Sequence, residues 1–231
     1  MIKLIKLEWI KGNVGRLIRY VIIMTAALLA FLIVTAGEHA GADASSAGIY
    51  ERSIINAAVE VYTNMTYIVF TGVLMGSFIV AEFERGTISL MFSYPIKRQD
   101  ILLSKIFSVW IFNVVALMIS KIFIYVVLFT LKSFINISAQ DIPFGALRFW
   151  LDMFLSSIVM ISISYIALPI GLKMESSKTT VIATMLIAVF SHVSFGEYTL
   201  IGNIPFYIGL LLISAVSVFL TLYRLETKDV S

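Results

Sequence analysis

The stretch VYTNMTYIVFTGVLMGSFIVA, residues 61–81, holds no charged side chain. As a helix rising 1.5 Å per residue it is about 31 Å long, which matches the hydrocarbon core of a bilayer. Polar and apolar positions do not alternate, and a membrane-crossing strand needs only about 10 residues, so the run reads as a helix and not as a barrel strand. Gly72 and Gly76 are four apart and share a helical face. Small residues at that spacing let a second helix approach closely, and packing within the chain is favoured over a dimer seam.

The rest of the 231-residue chain has the same character. Its apolar fraction is 60% and its charged fraction 13%, about half the charged share of a soluble domain. Such a chain suits lipid on its outside. Five further apolar runs flank the first, at about 20–36, 106–131, 153–172, 179–195 and 198–223. The expected fold is an all-α integral membrane protein with six spans, one permease-sized domain over 1–231. Residues 1–19 are expected to form an interfacial amphipathic helix in front of the first span, with Ile2, Ile5 and Trp9 on one face. Residues 40–44 offer a small-residue cleavage pattern. The basic region ahead of the first apolar run is long for a signal peptide, which favours a retained span.

Orientation follows from the bases. With both termini in the cytosol, 13 of the 17 Lys and Arg lie inside, Arg52, Lys132 and Arg148 lie outside, and Lys121 lies within a span. Acids divide evenly, so the bias belongs to Lys and Arg, as membrane insertion requires. The chain has no cysteine and two histidines, His39 and His192, so thiolate chemistry is excluded and a His-based zinc site is not expected. The basic excess is small and tracks topology, so nucleic acid is not an expected partner. No GxxxxGK[ST] pattern occurs, and no Gly-x-Ser-x-Gly elbow.

The uncharged run ends in EFERGTISLMFSYPIKRQDILLSK, residues 82–105, where acids, bases, Gly-Thr and Pro are concentrated. Glu82 and Glu84 follow the span. Gly86 can take the left-handed conformation that ends a helix. Thr87 can cap a short helix beginning at Ile88, carrying Leu90, and Pro95 ends it. Asp100 suits the positive end of the next helix, on which Arg98 and Lys105 share a face. Helix, turn, short helix, turn and long helix are therefore expected, with the short helix on the cytosolic membrane surface.

The pattern Glu82-x-Glu84-x-Gly86-Thr87, Pro95-Ile96-x-Arg98 and Lys105 resembles the hallmark loop of exporter-type ABC transporter permeases, the second structural class of ABC exporters. Lys97 stands where that family often has a small hydroxyl residue. The resemblance implies a coupling segment that docks a separate ATPase subunit through Glu82, Glu84, Gly86, Thr87, Leu90, Pro95, Arg98 and Lys105. It implies that ATP and Mg are bound by that partner and not by this chain. It further implies a second permease copy or a homologous one, a bacterial plasma membrane location, and export of a hydrophobic or amphipathic substrate such as a peptide, bacteriocin, toxin or drug. Antimicrobial-peptide immunity is one role of such small permeases. The alternatives are a stand-alone ion-coupled carrier or channel, which would need acids inside the membrane, and an intramembrane enzyme, which would need converging catalytic groups.

Lys121 is the one base deep within a span, at a cost of about 2.5–3.5 kcal/mol at the centre. Three readings are open: it lines a translocation path, pairs with an acid such as Asp152, or snorkels outward. Ser156, Ser157, Ser162 and Ser164 make the fourth run the most polar, and bonds to other helices are expected of them. Pro169 and Gly171 are expected to bend its end.

Overall fold

The computed structural model describes residues 9, 12, 14–39, 50–86, 98–135, 147–192 and 204–227, and every regular element among them is helical. In chain order these are α1 (Val14–His39), α2 (Tyr50–Met75), a π-helical segment (Gly76–Val80), α3 (Ala81–Glu84), α4 (Arg98–Ile135), α5 (Leu147–Ser164), a 3-10 turn (Tyr165–Ala167), α6 (Leu168–Lys173), α7 (Ser177–Ser191) and α8 (Ile204–Thr227). Among the described residues, four stretches are long and apolar enough to cross a membrane: 14–35, 56–84, 100–131 and 147–173. Two further apolar helical stretches, Ser177–Ser191 and Tyr207–Leu222, are shorter as described.

Boundaries differ from the expectation in a consistent direction. α1 starts at Val14, so residues 14–19 continue the first span and are not part of a separate surface helix. The remainder of the expected interfacial helix, Trp9 and Gly12 apart, lies outside the described residues. α2 starts at Tyr50, eleven residues before the uncharged run, because IYERSIINAAVEVY has no residue that breaks a helix. Backbone hydrogen bonding carries a helix past the edge of its apolar stretch when nothing stops it.

The burial pattern is inverted relative to a soluble protein. Large apolar side chains such as Ile22, Ile23, Phe190 and Phe219 are exposed, while Thr63, Asn64, Ser157, Ser164 and Thr184 are fully buried. Lipid is as apolar as leucine, so apolar side chains gain little by leaving it, whereas hydroxyls and amides must find partners inside. α2 is the hub and packs against α7, α4, α5 and α1. The largest apolar cluster joins Tyr67, Leu74 and Ile79 of this rod to Ile106 and Leu117 of α4 and to Ile161 and Tyr165 of the α5 run.

Hydroxyls stitch the helices together. Tyr67 donates to or accepts from Ser120 at 2.6 Å and donates to the Ala116 carbonyl at 3.1 Å. Thr25 on α1 reaches the same Ser120 at 2.7 Å. Of the four serines on α5, two bond across helices: Ser156 donates to Glu60, and Ser162 accepts from the Trp110 indole at 3.1 Å. Ser157 and Ser164 bond back to their own helix. Pro169 has no N–H for the Tyr165 carbonyl four residues earlier, and the helix tightens to a 3-10 turn there. Ser217 of α8 donates to that carbonyl at 3.2 Å.

Gly72 and Gly76 seat α7. A Cβ added at Gly72 would lie 1.9 Å from Thr184 Oγ1 and 2.7 Å from its Cβ. One at Gly76 would lie 3.1 Å from the Ser177 carbonyl. The GxxxG face is therefore an internal seam. Thr184 is β-branched and cannot swing aside, so Gly72→Ala is expected to lower stability by about 1–3 kcal/mol, the usual cost of overpacking. Thr184→Gly in the same chain should restore much of it, measured by thermal unfolding in detergent. Equal losses in the single and double variants would refute the seam.

Candidate functional site

The 82–105 segment emerges from one end of the bundle, here termed the loop end. Thr87, Leu90 and Pro95 lie outside the described residues. Arg98 opens α4, with Asp100 in the first turn as its charge suits. Gly86 has a φ of +66°, the left-handed conformation that stops α3, and its N–H donates to the Phe83 carbonyl at 3.1 Å.

Glu82 and Lys105 face each other across the root of the loop. Nζ of Lys105 donates to Oε1 of Glu82 at 2.8 Å, and Lys105 is 3% exposed. Lys105, expected in the docking segment, fastens α3 to α4 through this pair.

Glu84 is exposed and holds a different element. Its Oε2 accepts from the Ser177 backbone N–H at 3.2 Å and from Ser177 Oγ at 2.8 Å. Ser177 is the first residue of α7, where a carboxylate meets unsatisfied N–H groups and the positive helix end. The same Ser177 Oγ lies 3.0 Å from the Gly76 carbonyl, in the π-helical segment whose wider turn alters the local ladder. One short residue thus joins the root of the 82–105 segment to the 174–176 turn, where Glu175 takes a φ of 48°. Sequence reasoning missed Ser177, because nothing in a serine 93 positions downstream announces a carboxylate partner.

At the opposite, far end Lys121 is fully buried. Its Nζ donates to Glu60 Oε2 at 2.7 Å and lies 3.3 Å from Ser156 Oγ. Ser156 Oγ donates to the same carboxylate oxygen at 2.9 Å, and Asn64 Nδ2 does so at 3.1 Å. The cluster joins α2, α4 and α5. Neither the Asp152 pairing nor the snorkelled lysine is found. Asp152 lies exposed beside Arg148 at 3.7 Å, one turn away on its own helix. The partner is Glu60, the residue immediately before the uncharged run.

An apolar groove of about 600 Å³ opens between α1, α2 and α7, with Met24, Met65, Phe70 and Met185 among its lining. Its α2 residues, Met65, Thr66, Val69, Phe70 and Val73, lie on the side of that helix roughly opposite Glu60 and Asn64. Lys121 does not line this groove.

A helical membrane subunit with a fastened, charged loop at one end is the class these features define. The family model described as ABC-2 family transporter protein matches residues 4–194. The chain belongs to the ABC-2 family of transporter membrane proteins, the permease subunits of ABC transporters. It is similar to "Uncharacterized protein YcbO" of Bacillus subtilis (strain 168), 28% identical over 131 residues, which are 56% of each chain. It thus covers little more than half the length of that relative. No solved structure matches the chain.

Removing one member of a buried ion pair costs about 3–5 kcal/mol, and removing both far less. Glu60→Gln strands a fully enclosed ammonium and should destabilise by that amount. Lys121→Met should cost less, since Glu60 keeps Ser156 and Asn64 and is 20% exposed. The double variant should approach the parent in detergent unfolding. A double variant as damaged as the two singles summed would refute the pairing.

Proposed function

We propose that this chain is the membrane subunit of an ATP-driven exporter of a hydrophobic or amphipathic substrate, such as a peptide, bacteriocin, toxin or drug. All six helical runs cross a bacterial plasma membrane with both termini in the cytosol, and the loop end faces inward. A separate ATPase subunit binds ATP and Mg and docks on residues 82–98 and on the neighbouring 173–178 turn. A second permease, identical or homologous, completes the transporter. Immunity to antimicrobial peptides is the role that fits a permease with such short segments outside its spans.

One observation carries the mechanical part: the Glu84–Ser177 bonds bring the roots of the two inward segments together. A docked motor would then push on two loops as one surface. Force entering there reaches α2 and α4 through the Glu82–Lys105 pair and α7 through Ser177. Access switches when the two nucleotide states of the motor favour different arrangements of these helices. A stand-alone ion-coupled carrier would need a carboxylate available to a cation. Glu60 is the acid placed for that, and it is taken up by Lys121, Ser156 and Asn64.

Two measurements test the proposal. Co-expressed with an ABC-type ATPase from an adjacent reading frame of its source genome, the chain should retain that ATPase through detergent purification. Leu90→Asp and Glu84→Arg should each abolish retention while the permease still purifies as a monodisperse species. Undiminished retention in both would rule out docking at this segment. The chain has no cysteine of its own, so Arg98→Cys reports topology directly. A membrane-impermeant maleimide should leave it unlabelled in intact cells and label it after lysis. Labelling of intact cells would invert the orientation and end the proposal.

A further inference from the structure

α2 with its α3 extension and α4 lie side by side with an ion pair at each end of their contact. Glu82–Lys105 closes the loop end at 2.8 Å, and Glu60–Lys121 the far end at 2.7 Å. The lysines are about 24 Å apart along α4, most of the thickness of the hydrocarbon. Between them Tyr67 bonds to both Ala116 and Ser120. Both ammonium groups are almost wholly enclosed, so screening by water and salt is weak.

The contact between α2 and α7 is of another kind. Small residues face one another, with Gly72 against Thr184. Thr184 directs its hydroxyl to carbonyls of its own helix, Val181 at 2.8 Å and Thr180 at 3.2 Å. Among the described residues, the hydrogen bonds between α7 and the rod of α2 and its extension gather at the loop end, through Ser177. A seam bonded at one end only tolerates tilting about that end, whereas two distant charge pairs fix both register and angle.

We infer that Glu60, Lys121, Glu82 and Lys105 are positioning residues that lock α2 and α4 into one rigid lever, leaving α7 to tilt against α2 about its Ser177 anchor. This rests on the exporter reading for its purpose, though not for its geometry. Buried ion pairs contribute little net stability over apolar replacements, and fixing register is the use best attested for them. A pair at one end alone would allow the helices to splay at the other.

The test uses the full chain in lipid nanodiscs with pairs of spin labels on introduced cysteines, read by pulsed electron–electron resonance. Ala57 on α2 and Val126 on α4 are both exposed near the far end. Labels there should give one narrow distance peak in the parent. The variant Glu60→Gln with Lys121→Met, which leaves no stranded charge, should lose that single peak while Lys121→Arg keeps it. A merely structural role predicts the opposite for the neutral pair, since it removes the charge penalty and restores packing. With the ATPase bound, adding ATP should shift the Ala57–Val189 distance between α2 and α7 and leave Ala57–Val126 unchanged. A narrow peak in the neutral pair, or an α2–α4 distance that moves with ATP, overturns the lever and leaves the exporter standing. Failure of the ATPase to bind counts against the exporter alone, because the nanodisc measurement without it still decides the lever.

Discussion

Inside hydrocarbon no water is present to satisfy a polar atom, and most of this architecture follows from that. Each buried hydroxyl, amide or charge must find a partner in the protein, so the polar side chains determine which helices are neighbours. Ser120 brings α1 and α2 to one point on α4 through Thr25 and Tyr67. Irregular backbone obeys the same rule. Where Pro169 withholds an N–H, the Tyr165 carbonyl accepts from the Leu168 N–H and from Ser217 of another helix. At the π-helical segment, the Gly76 carbonyl accepts from the Ala81 N–H, with Ser177 Oγ 3.0 Å away. Departures from a regular helix occur here where a neighbouring hydroxyl can reach.

α2 concentrates these demands because it presents three different surfaces. One side is polar and directional, with Glu60, Asn64 and Tyr67 turned to α4 and α5. A second is nearly bare, where Gly72 and Gly76 admit α7. The third is apolar and open, forming the wall of the groove. Adhesion differs in kind between them: charge and hydrogen bonds fix angle and register, whereas a seam of small residues bonded at one end only tolerates tilting about that end. One helix can therefore be bound rigidly to one neighbour and loosely to another.

Much of the helical layout was legible because a bilayer imposes a length and a polarity that composition records directly. The uncharged run 61–81, the left-handed stop at Gly86 and the internal use of the GxxxG face could all be read from local pattern. Partner choice could not. Lys121 demanded an acid, and Asp152 was the candidate at the edge of an apolar run, yet Asp152 lies beside Arg148 on its own helix. Glu60 was equally close to an edge, and only the crossing of α2 over α4 decides between them. The pairing of Lys105 with Glu82 was hidden for the same reason, since periodicity gives a face but not what covers it. The contacts of Thr87, Leu90 and Pro95 fall outside the described residues, so their assigned role rests on resemblance.

The self-neutralised charge cluster also bears on what the groove can accept. A lone ammonium in a span would project a strong field through a low-dielectric interior and draw anions toward it. Here the field is cancelled at contact distance by Glu60, and the pair stands on the far side of α2 from the groove. The groove is left with methionine, valine, phenylalanine, one alanine and Thr66, whose hydroxyl is bonded to the Tyr62 carbonyl. Methionine is unbranched and polarizable, and it adapts to varied apolar shapes. A wall of that composition selects by hydrophobicity and bulk more than by charge. Such selectivity would suit the proposed export of molecules that partition into the bilayer, and it would serve poorly for a hydrated ion.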